Sequence, residues 1–312
     1  MISIAMATYN GEKYLREQLD SIFAQTYQNF EFIVCDDCST DSTVQILREY
    51  EKKDDRIKVF VNEENLGFKK NFEKAIRLCS GDYIALSDQD DIWMENHLEV
   101  LLENIAGKSA AAGNAVMIDS AGAEKKYSLS EGDRYYAAGS NIDKLFTILC
   151  YRNPFSGAIS MYSTGKCLNV ALPIPDFVKY HDVWFSLVAC CLDGLDYTFE
   201  PLVKHRVHEK NESGAHHITF FNSLPLVGAK DKRREFLTNR IKMCEELLAR
   251  IPDMNPQCKG TIEFIKQYHI NRLKKHRFKT MVLMAKHYKQ IYSTRTYKWF
   301  FARCLNLLIQ KI

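Results

Sequence analysis

The stretch Ser87-Asp88-Gln89-Asp90-Asp91-Ile92-Trp93 decides how this chain is read. It follows the apolar run Tyr83-Ile84-Ala85-Leu86, which Gly81-Asp82 bounds on the other side. A short apolar run between turn residues and acids predicts a buried strand. Three carboxylates then stand at the carboxyl end of a strand, where open α/β sheets bind ligands. Acids packed this closely repel one another, and a divalent cation relieves the repulsion. Oxygen ligands suit a hard ion such as Mg²⁺ or Mn²⁺, which commonly bridges carboxylates to substrate phosphates. The competing reading is a solvated acidic turn that caps the next helix.

Working outward, the first hundred residues alternate strand and helix. Strands are expected at Ile2–Ala7, Phe30–Cys35, Ile57–Val61 and Tyr83–Leu86. Between them, helical periodicity runs over Glu12–Gln25, from Asp41-Ser42-Thr43 through Tyr50, and over Leu66–Leu78. A helix at Asn96–Ile105 and a strand at Ala112–Ile118 follow. Repeated β-α units predict a mostly parallel sheet covered on both faces. Asp119 to Gly139 is polar and rich in Gly and Ser, which predicts a long mobile loop. From Asn141 to about His217 the pattern is mixed, with a helix from His181 and strands near Tyr197–Phe199 and Leu202–Val207. From Thr219 onward it is helical and basic. No internal repeat is visible.

Each strand end carries polar chemistry. Met6-Ala7-Thr8-Tyr9-Asn10 offers small and hydroxyl side chains that let a ligand approach the backbone. After the second strand comes Cys35-Asp36-Asp37-Cys38-Ser39-Thr40-Asp41-Ser42-Thr43. Asp36 and Asp37 are assigned to ligand, since carboxylates accept from base imide and ribose hydroxyl groups. Asp41 is assigned to capping the helix. Asn65-Leu66-Gly67-Phe68 with Asn71 opens the third helix, whose N-terminus favours anions.

The chain has 312 residues, 46% hydrophobic and 26% charged, an ordinary globular composition. Its ten cysteines without a secretory leader point to a reducing compartment. Cys35 and Cys38 form a C-x-x-C with no second pair at zinc spacing, and read as a strand end entering a turn. No apolar stretch is long enough to span a bilayer. The net charge of +3 hides a split: residues 1–229 hold 22 Lys and Arg against 33 Asp and Glu, a net −11. Residues 230–312 hold 20 against 6, a net +14, which suits an anionic membrane or nucleic acid. No nucleic-acid motif accompanies that charge, so no nucleic acid is expected as partner.

Taken in order, Ala7-Thr8-Tyr9-Asn10, Asp36-Asp37-x-Ser39-x-Asp41-x-Thr43, Asn65-x-Gly67 with Asn71, and Asp88-Gln89-Asp90-Asp91-x-Trp93 resemble the family 2 glycosyltransferases of the GT-A fold. The resemblance is strong over residues 1–100, moderate to about 215 and fades beyond. It implies an α/β fold with a mixed, mainly parallel central sheet. It also implies a catalytic domain over 1–218, with a nucleotide-binding half at about 1–118 and an acceptor half at about 119–218, and a basic helical region over 219–312. In that family the pair matching Asp36 and Asp37 holds base and ribose. The D-x-D matching Asp88 and Asp90 holds metal and donor diphosphate, and Asp91 orients the loop or the sugar. Thr8, Tyr9, Asn10, Asn65, Gly67 and Asn71 belong to the same donor site. Trp93 walls the pocket or fills the core. Asp182, in His181-Asp182-Val183-Trp184, matches the general base, although an acid at a helix N-terminus is also favoured by the helix dipole alone. The segment His205-Arg206-Val207-His208 with Asn211 and Gly214 resembles the closing motif, in which His208 is a third metal ligand and Arg206 a phosphate or loop partner.

The implied activity is inverting, metal-dependent transfer from a nucleotide-diphosphate sugar to a saccharide acceptor. The Asp88–Trp93 loop, the His181 helix and the Arg206 segment are similar to a bacterial rhamnosyltransferase-like branch. That branch implies dTDP-rhamnose, with a UDP-hexose or UDP-N-acetylhexosamine open, and a polysaccharide product. The implied cofactor is Mn²⁺ or Mg²⁺. In Tyr297–Ile312 apolar residues repeat at i, i+3, i+4 and i+7 beside Lys298, Arg303 and Lys311. Such a helix lies in a membrane interface or packs on its own domain or a twin subunit. The expectation is a cytoplasmic protein, peripheral on the inner face of the membrane, with a lipid-linked acceptor and a homodimer open. The alternative function is a catalytically silent nucleotide-sugar-binding partner in a glycan-assembly complex.

Overall fold

Residues 1–128, 139–208 and 230–286 are described by a computed structural model of the chain. Strand β1 (Ile2–Thr8) sits inside the parallel half of a nine-stranded sheet. Its side chains alternate as the pleat requires. Ile2, Ile4 and Met6 join a core with Leu15, Leu19 and Ile22 of α1 (Leu15–Phe23), whereas Ala5 faces the opposite core. The chain continues through β2 (Phe30–Asp36), α2 (Thr43–Glu51), β3 (Ile57–Val61), α3 (Phe68–Leu78) and β4 (Tyr83–Ser87). These four strands are parallel in the order β3-β2-β1-β4. Their carboxyl ends, and the polar residues just beyond them, therefore stand along one edge.

Past β4 the sheet becomes mixed. The chain forms β5 (Ile92–Trp93), α4 (His97–Asn104), β6 (Ala110–Ile118), β7 (Glu124–Ser128), α5 (Asn141–Cys150), β8 (Ser160–Ser163), α6 (His181–Cys191) and β9 (Leu195–Arg206). β8 inserts between β4 and β6, antiparallel to both. β9 runs parallel to β6 and pairs with β5 at its far end, Ile92 opposite Lys204. That pairing delivers residues 205–208 to the Asp88–Asp91 loop.

α7 (Lys230–Arg250), α8 (Pro256–Leu273) and α9 (Arg277–Lys286) end the described chain. Asn255 caps α8 by accepting from Gln257 N, with Pro256 in the first turn, where a missing N–H costs nothing. Cys244, Leu247, Ile262 and Ile265 share one core with Leu145, Leu149, Phe185 and Val188 of α5 and α6. Arg250 also donates to Ala171 O at 2.9 Å and lies over the Trp184 ring. The helical region is thus seated on α5 and α6.

Three expectations change. The long loop over Asp119–Gly139 is in its first part a hairpin. Asp119 accepts from Ala121 N and Ala123 N, and β7 then pairs antiparallel with β6. The strands expected near 197–199 and 202–207 are one strand, β9, irregular where Pro201 faces Asn114 because proline has no N–H to give the ladder. α1 starts at Leu15 rather than Glu12, because Gly11 N and Glu12 N are held by Thr43 Oγ1 and Asp41. Among the described residues no helix is long and apolar enough to cross a membrane. Tyr297–Ile312, Asn211 and Gly214 lie outside the described residues.

Candidate active site

A cavity of about 1060 Å³ opens at the carboxyl edge of the parallel strands. Its lining includes Thr8, Tyr9 and Asn10 after β1, Asp37 after β2, and Asn65, Gly67 and Asn71 around the start of α3. Asp88 and Asp90 after β4, Asp182 on α6 and His208 after β9 complete the opposite parts. The structure thus gathers into one cavity eleven of the fourteen residues singled out from the sequence. Asp36, Asp91 and Arg206 stand behind its wall.

Asp36 is fully buried. Its carboxylate accepts from Thr8 Oγ1 at 2.8 Å, Ser39 N at 2.8 Å and Ser39 Oγ at 2.6 Å. These bonds use its acceptor capacity to tie β1 to the turn after β2. Asp37 reaches the cavity, but its oxygens also accept from Asn62 Nδ2, Leu66 N and Gly67 N at 2.7 to 2.8 Å. Gly67 has φ 79°, a region open to glycine at little cost, and this turns its N–H toward Asp37. Asn71 bridges Asn62 and the Cys35 carbonyl. Asn65 donates to Asp37 O and accepts from Gly67 N. The β2–α3 corner is therefore a closed polar network with one face open to the cavity.

Asp41 behaves as expected of a helix-start residue. It accepts from Thr43 N and Thr43 Oγ1 ahead of α2, and these bonds hold its carboxyl below the usual carboxylate range against the opposing effect of burial. Cys35 lies in β2 and Cys38 in the following turn, and every described cysteine is free.

The acidic loop is the electrostatic centre. Burial, and then the charges of Asp91 and Asp90, push the Asp88 carboxyl up to about 8. Burial and Asp91 likewise raise Asp90, which meets His208 Nε2 at 2.7 Å. Asp91 has no exposed surface and accepts from His205 Nδ1 and Arg206 N. Burial alone would lower His205, but Asp91 overrides it and holds the imidazole at about 9, so it is cationic at neutral pH. Arg206 is buried too. It donates to Asp90 O at 2.9 Å and Glu17 at 2.7 Å, and lies over the Tyr14 ring. Trp93 is core, stacked on His97 with ring centroids 4.0 Å apart, and does not line the cavity.

Carboxylates with an imidazole are a donor set that suits Mn²⁺ or Mg²⁺. The crowding that raises Asp88 and Asp90 is what a cation would relieve. Among the described residues, however, no three His, Cys, Asp or Glu converge at ligand distance as they stand. Asp90 and His208 instead share a direct hydrogen bond. The set fits such an ion in chemistry, and the bond between Asp90 and His208 must open to admit one.

Asp182 lies in the first turn of α6 and accepts from Val183 N at 2.7 Å. Burial raises its carboxyl to about 6, against the opposing pull of Val183, Gly157 and Asn153. Trp184 of the same motif is core, its Nε1 donating to Ala171 O. Among the lining residues that the sequence reading did not assign to the site, three stand out. Gln89 makes a two-point clamp, accepting from Tyr9 N and donating to Tyr9 O. Tyr14 lies against His208, ring centroids 5.1 Å apart and tilted by 31°, and no pattern announces it. His205 stood in the quoted H-R-V-H segment, but its charge is visible only once Asp91 is beside it.

A parallel β-α half carrying ligand loops, joined to a mixed half that returns to the acidic loop, is the GT-A fold. Residues 1–349 of Staphylococcus aureus TarS, solved with UDP-GlcNAc, share it with TM-score 0.63 and 17% identity, over 87% of this chain and 72% of that one. The Pyrobaculum calidifontis mannosyltransferase PcManGT, solved with GDP-Man and Mn²⁺, does so with TM-score 0.55 and 15% identity, over 99% and 81%. The model of Glycosyl transferase family 2 matches residues 3–164, and the chain belongs to that family. The glycosyltransferase TuaG of Bacillus subtilis is 39% identical over 111 residues, which are 36% of this chain and 44% of that protein. The Escherichia coli UDP-Glc:alpha-D-GlcNAc-diphosphoundecaprenol beta-1,3-glucosyltransferase WfgD is 40% identical over 100 residues, 32% and 39% of the two. The match thus spans less than half the length of either relative.

Proposed function

We propose that this protein transfers a sugar from a nucleoside diphosphate sugar to a hydroxyl of a saccharide acceptor, with inversion at the anomeric carbon. The observation that carries the reading is one cavity shared by Asp37, the Asp88–Asp90–His208 group and Asp182. Asp37 with Asn65 and Gly67 receives the nucleoside, and Asp36 braces that corner from behind. Thr8, Tyr9 and Asn10 close over it from β1. Asp88, Asp90 and His208 would hold a divalent cation, which when bound would neutralise charge on the diphosphate leaving group. Asp91 and Arg206 fix the loop that presents them. Asp182 takes the acceptor proton, and a carboxylate near 6 is ionised at neutral pH yet a better base than an ordinary aspartate. A single displacement with one base inverts the carbon.

A UDP-hexose or UDP-N-acetylhexosamine is the favoured donor, in keeping with the UDP-GlcNAc of the TarS complex and the UDP-Glc in the name of WfgD. dTDP-rhamnose is the second candidate. A lipid-linked saccharide acceptor, again in keeping with the name of WfgD, would put the enzyme on the inner face of a membrane. The net +14 of residues 230–312 supports that contact.

The test is a thermal-shift and hydrolysis screen of UDP-, dTDP- and GDP-sugars with and without Mn²⁺. One donor should stabilise the protein and be slowly hydrolysed, and the Mn²⁺-dependent part should vanish in Asp90→Ala. Failure of every nucleotide and nucleotide sugar to bind would sink the reading. Binding without turnover, against any acceptor, would favour the silent partner.

A further inference from the structure

We propose that His181 is a sugar-binding residue: its imidazole hydrogen-bonds a hydroxyl of the transferred sugar at the floor of the cavity, beside Asp182. The inference rests on the donor-site reading above and deepens it.

His181 is 7% exposed and lines the cavity. Neither of its ring nitrogens has a hydrogen-bond partner. The other buried described histidines each pair at least one nitrogen. His97 meets Leu202 O at 3.2 Å, His269 meets Leu149 O at 3.1 Å, and His205 meets Asp91. Buried polar atoms in folded proteins are nearly always satisfied, so a ring with two orphans calls for an absent partner. Packing alone does not explain the residue. Phe72, Phe185 and Phe68 surround it at centroid distances of 4.4, 5.8 and 6.3 Å, and an apolar ring would suit that cage without the desolvation cost.

The chemistry of the missing partner follows from the ring. Burial pushes its pKa down to about 4, so at neutral pH it carries one donor and one acceptor. A phosphate accepts only and prefers a cation, whereas a hydroxyl both donates and accepts. Gly157 leaves the ring uncrowded on that side: a Cβ there would stand 3.0 Å from His181 Nε2, which is closed off from solvent in this structure, so a hydroxyl reaches it by a small shift of the wall. The neighbouring Asp182 faces the same cavity, and so do Phe68 and Tyr180. A hydroxylated ring seated there offers its apolar face to the aromatics and an edge hydroxyl to the imidazole.

The experiment is calorimetric titration of the Mn²⁺-loaded protein with UDP, UDP-glucose and UDP-N-acetylglucosamine, and with dTDP and dTDP-rhamnose. In the wild type one nucleotide sugar should bind more tightly than its free nucleotide. His181→Phe should bind the free nucleotide within about twofold of wild type and that nucleotide sugar about tenfold more weakly, the effect of one lost hydrogen bond. His181→Gln, whose amide can donate and accept, should recover part of the loss. If H181F melts too early to be titrated, His181→Met supplies the apolar comparison. Unchanged nucleotide-sugar affinity in the apolar variant would overturn the inference, as would a wild type that gains nothing from the sugar. A wild type that binds no nucleotide at all defeats the donor-site reading itself, a result distinct from either.

Discussion

Asp91 and His205, 114 residues apart, meet at 2.9 Å with no exposed surface on the carboxylate, and the same carboxylate accepts the Arg206 N–H. The last strand of the sheet is in this way pinned to the acidic loop by charge as well as by backbone. Removing one member of a buried pair strands the other. Asp91→Ala is expected to cost about 3–5 kcal/mol. His205→Ala in the Asp91→Ala background should cost much less than alone. A double-mutant cycle by urea unfolding measures the coupling, and additive losses would refute it.

On the proposed reading, Asp182 sets the acid side of the activity. Its carboxyl, raised to about 6 by burial, must be ionised to accept a proton, so the rate should fall as pH drops through about 6 and level off above it. Asp182→Asn should lower turnover by about 10²–10⁴ while nucleotide-sugar affinity stays near wild type. Turnover against pH, with affinity measured separately, decides this. An acid limb that persists unchanged in residual D182N activity would assign the titration elsewhere.

Gly67 gives a test of the nucleotide corner that is free of steric clash. A Cβ there meets nothing within 4 Å, so Gly67→Ala is penalised by its φ of 79° alone. With ψ at 150° this is extended backbone at positive φ, essentially glycine's alone, and the expected cost is about 1–3 kcal/mol of stability. Because relief of that strain would swing the Gly67 N–H away from Asp37, nucleotide affinity should fall as well. A variant with wild-type melting and wild-type affinity would show that the corner tolerates another backbone path.

Buried histidines make the fold sensitive to acid. Burial holds His97 and His269 at about 3, far below the ordinary histidine value near 6.5. Their neutral forms belong to the folded state, so their contribution is complete above about pH 6.5 and is lost as pH falls toward 3. Between those limits each adds about 1.4 kcal/mol of destabilisation per pH unit. Urea midpoints from pH 7 to 4 should show the slope, and His97→Phe should make it shallower by one proton. An equal slope in that variant would refute the assignment to His97.

The parallel half was legible because its signals are local. Apolar runs, turn residues and helical periodicity occur together in β1 to β4, and the ligand loops follow each strand end. The mixed half was less so. Nothing in Ser160–Ser163 announces that β8 will enter between β4 and β6, since that pairing depends on residues far along the chain. Site roles divided in the same way. Asp37 and Asp36 are neighbours of one type, and only the third dimension shows that the first faces the cavity while Thr8 and Ser39 occupy the second. Arg206 proved a partner of the loop carbonyl and Glu17, a role available to any arginine that reaches them.

The route of β9 back to the acidic loop also sets a clock on the ribosome. Asp88, Asp90 and Asp91 are synthesised more than a hundred residues ahead of His205, Arg206 and His208. At about 5–20 residues per second the interval is several seconds to about 20 seconds. Until Ser160–Ser163 is made the free edge of β4 awaits β8, and through the whole interval the acids lack His205 and Arg206, which later offset them. The sheet is therefore at its most vulnerable to misassembly before β9 is made, and the cavity is completed only when residues 205–208 arrive.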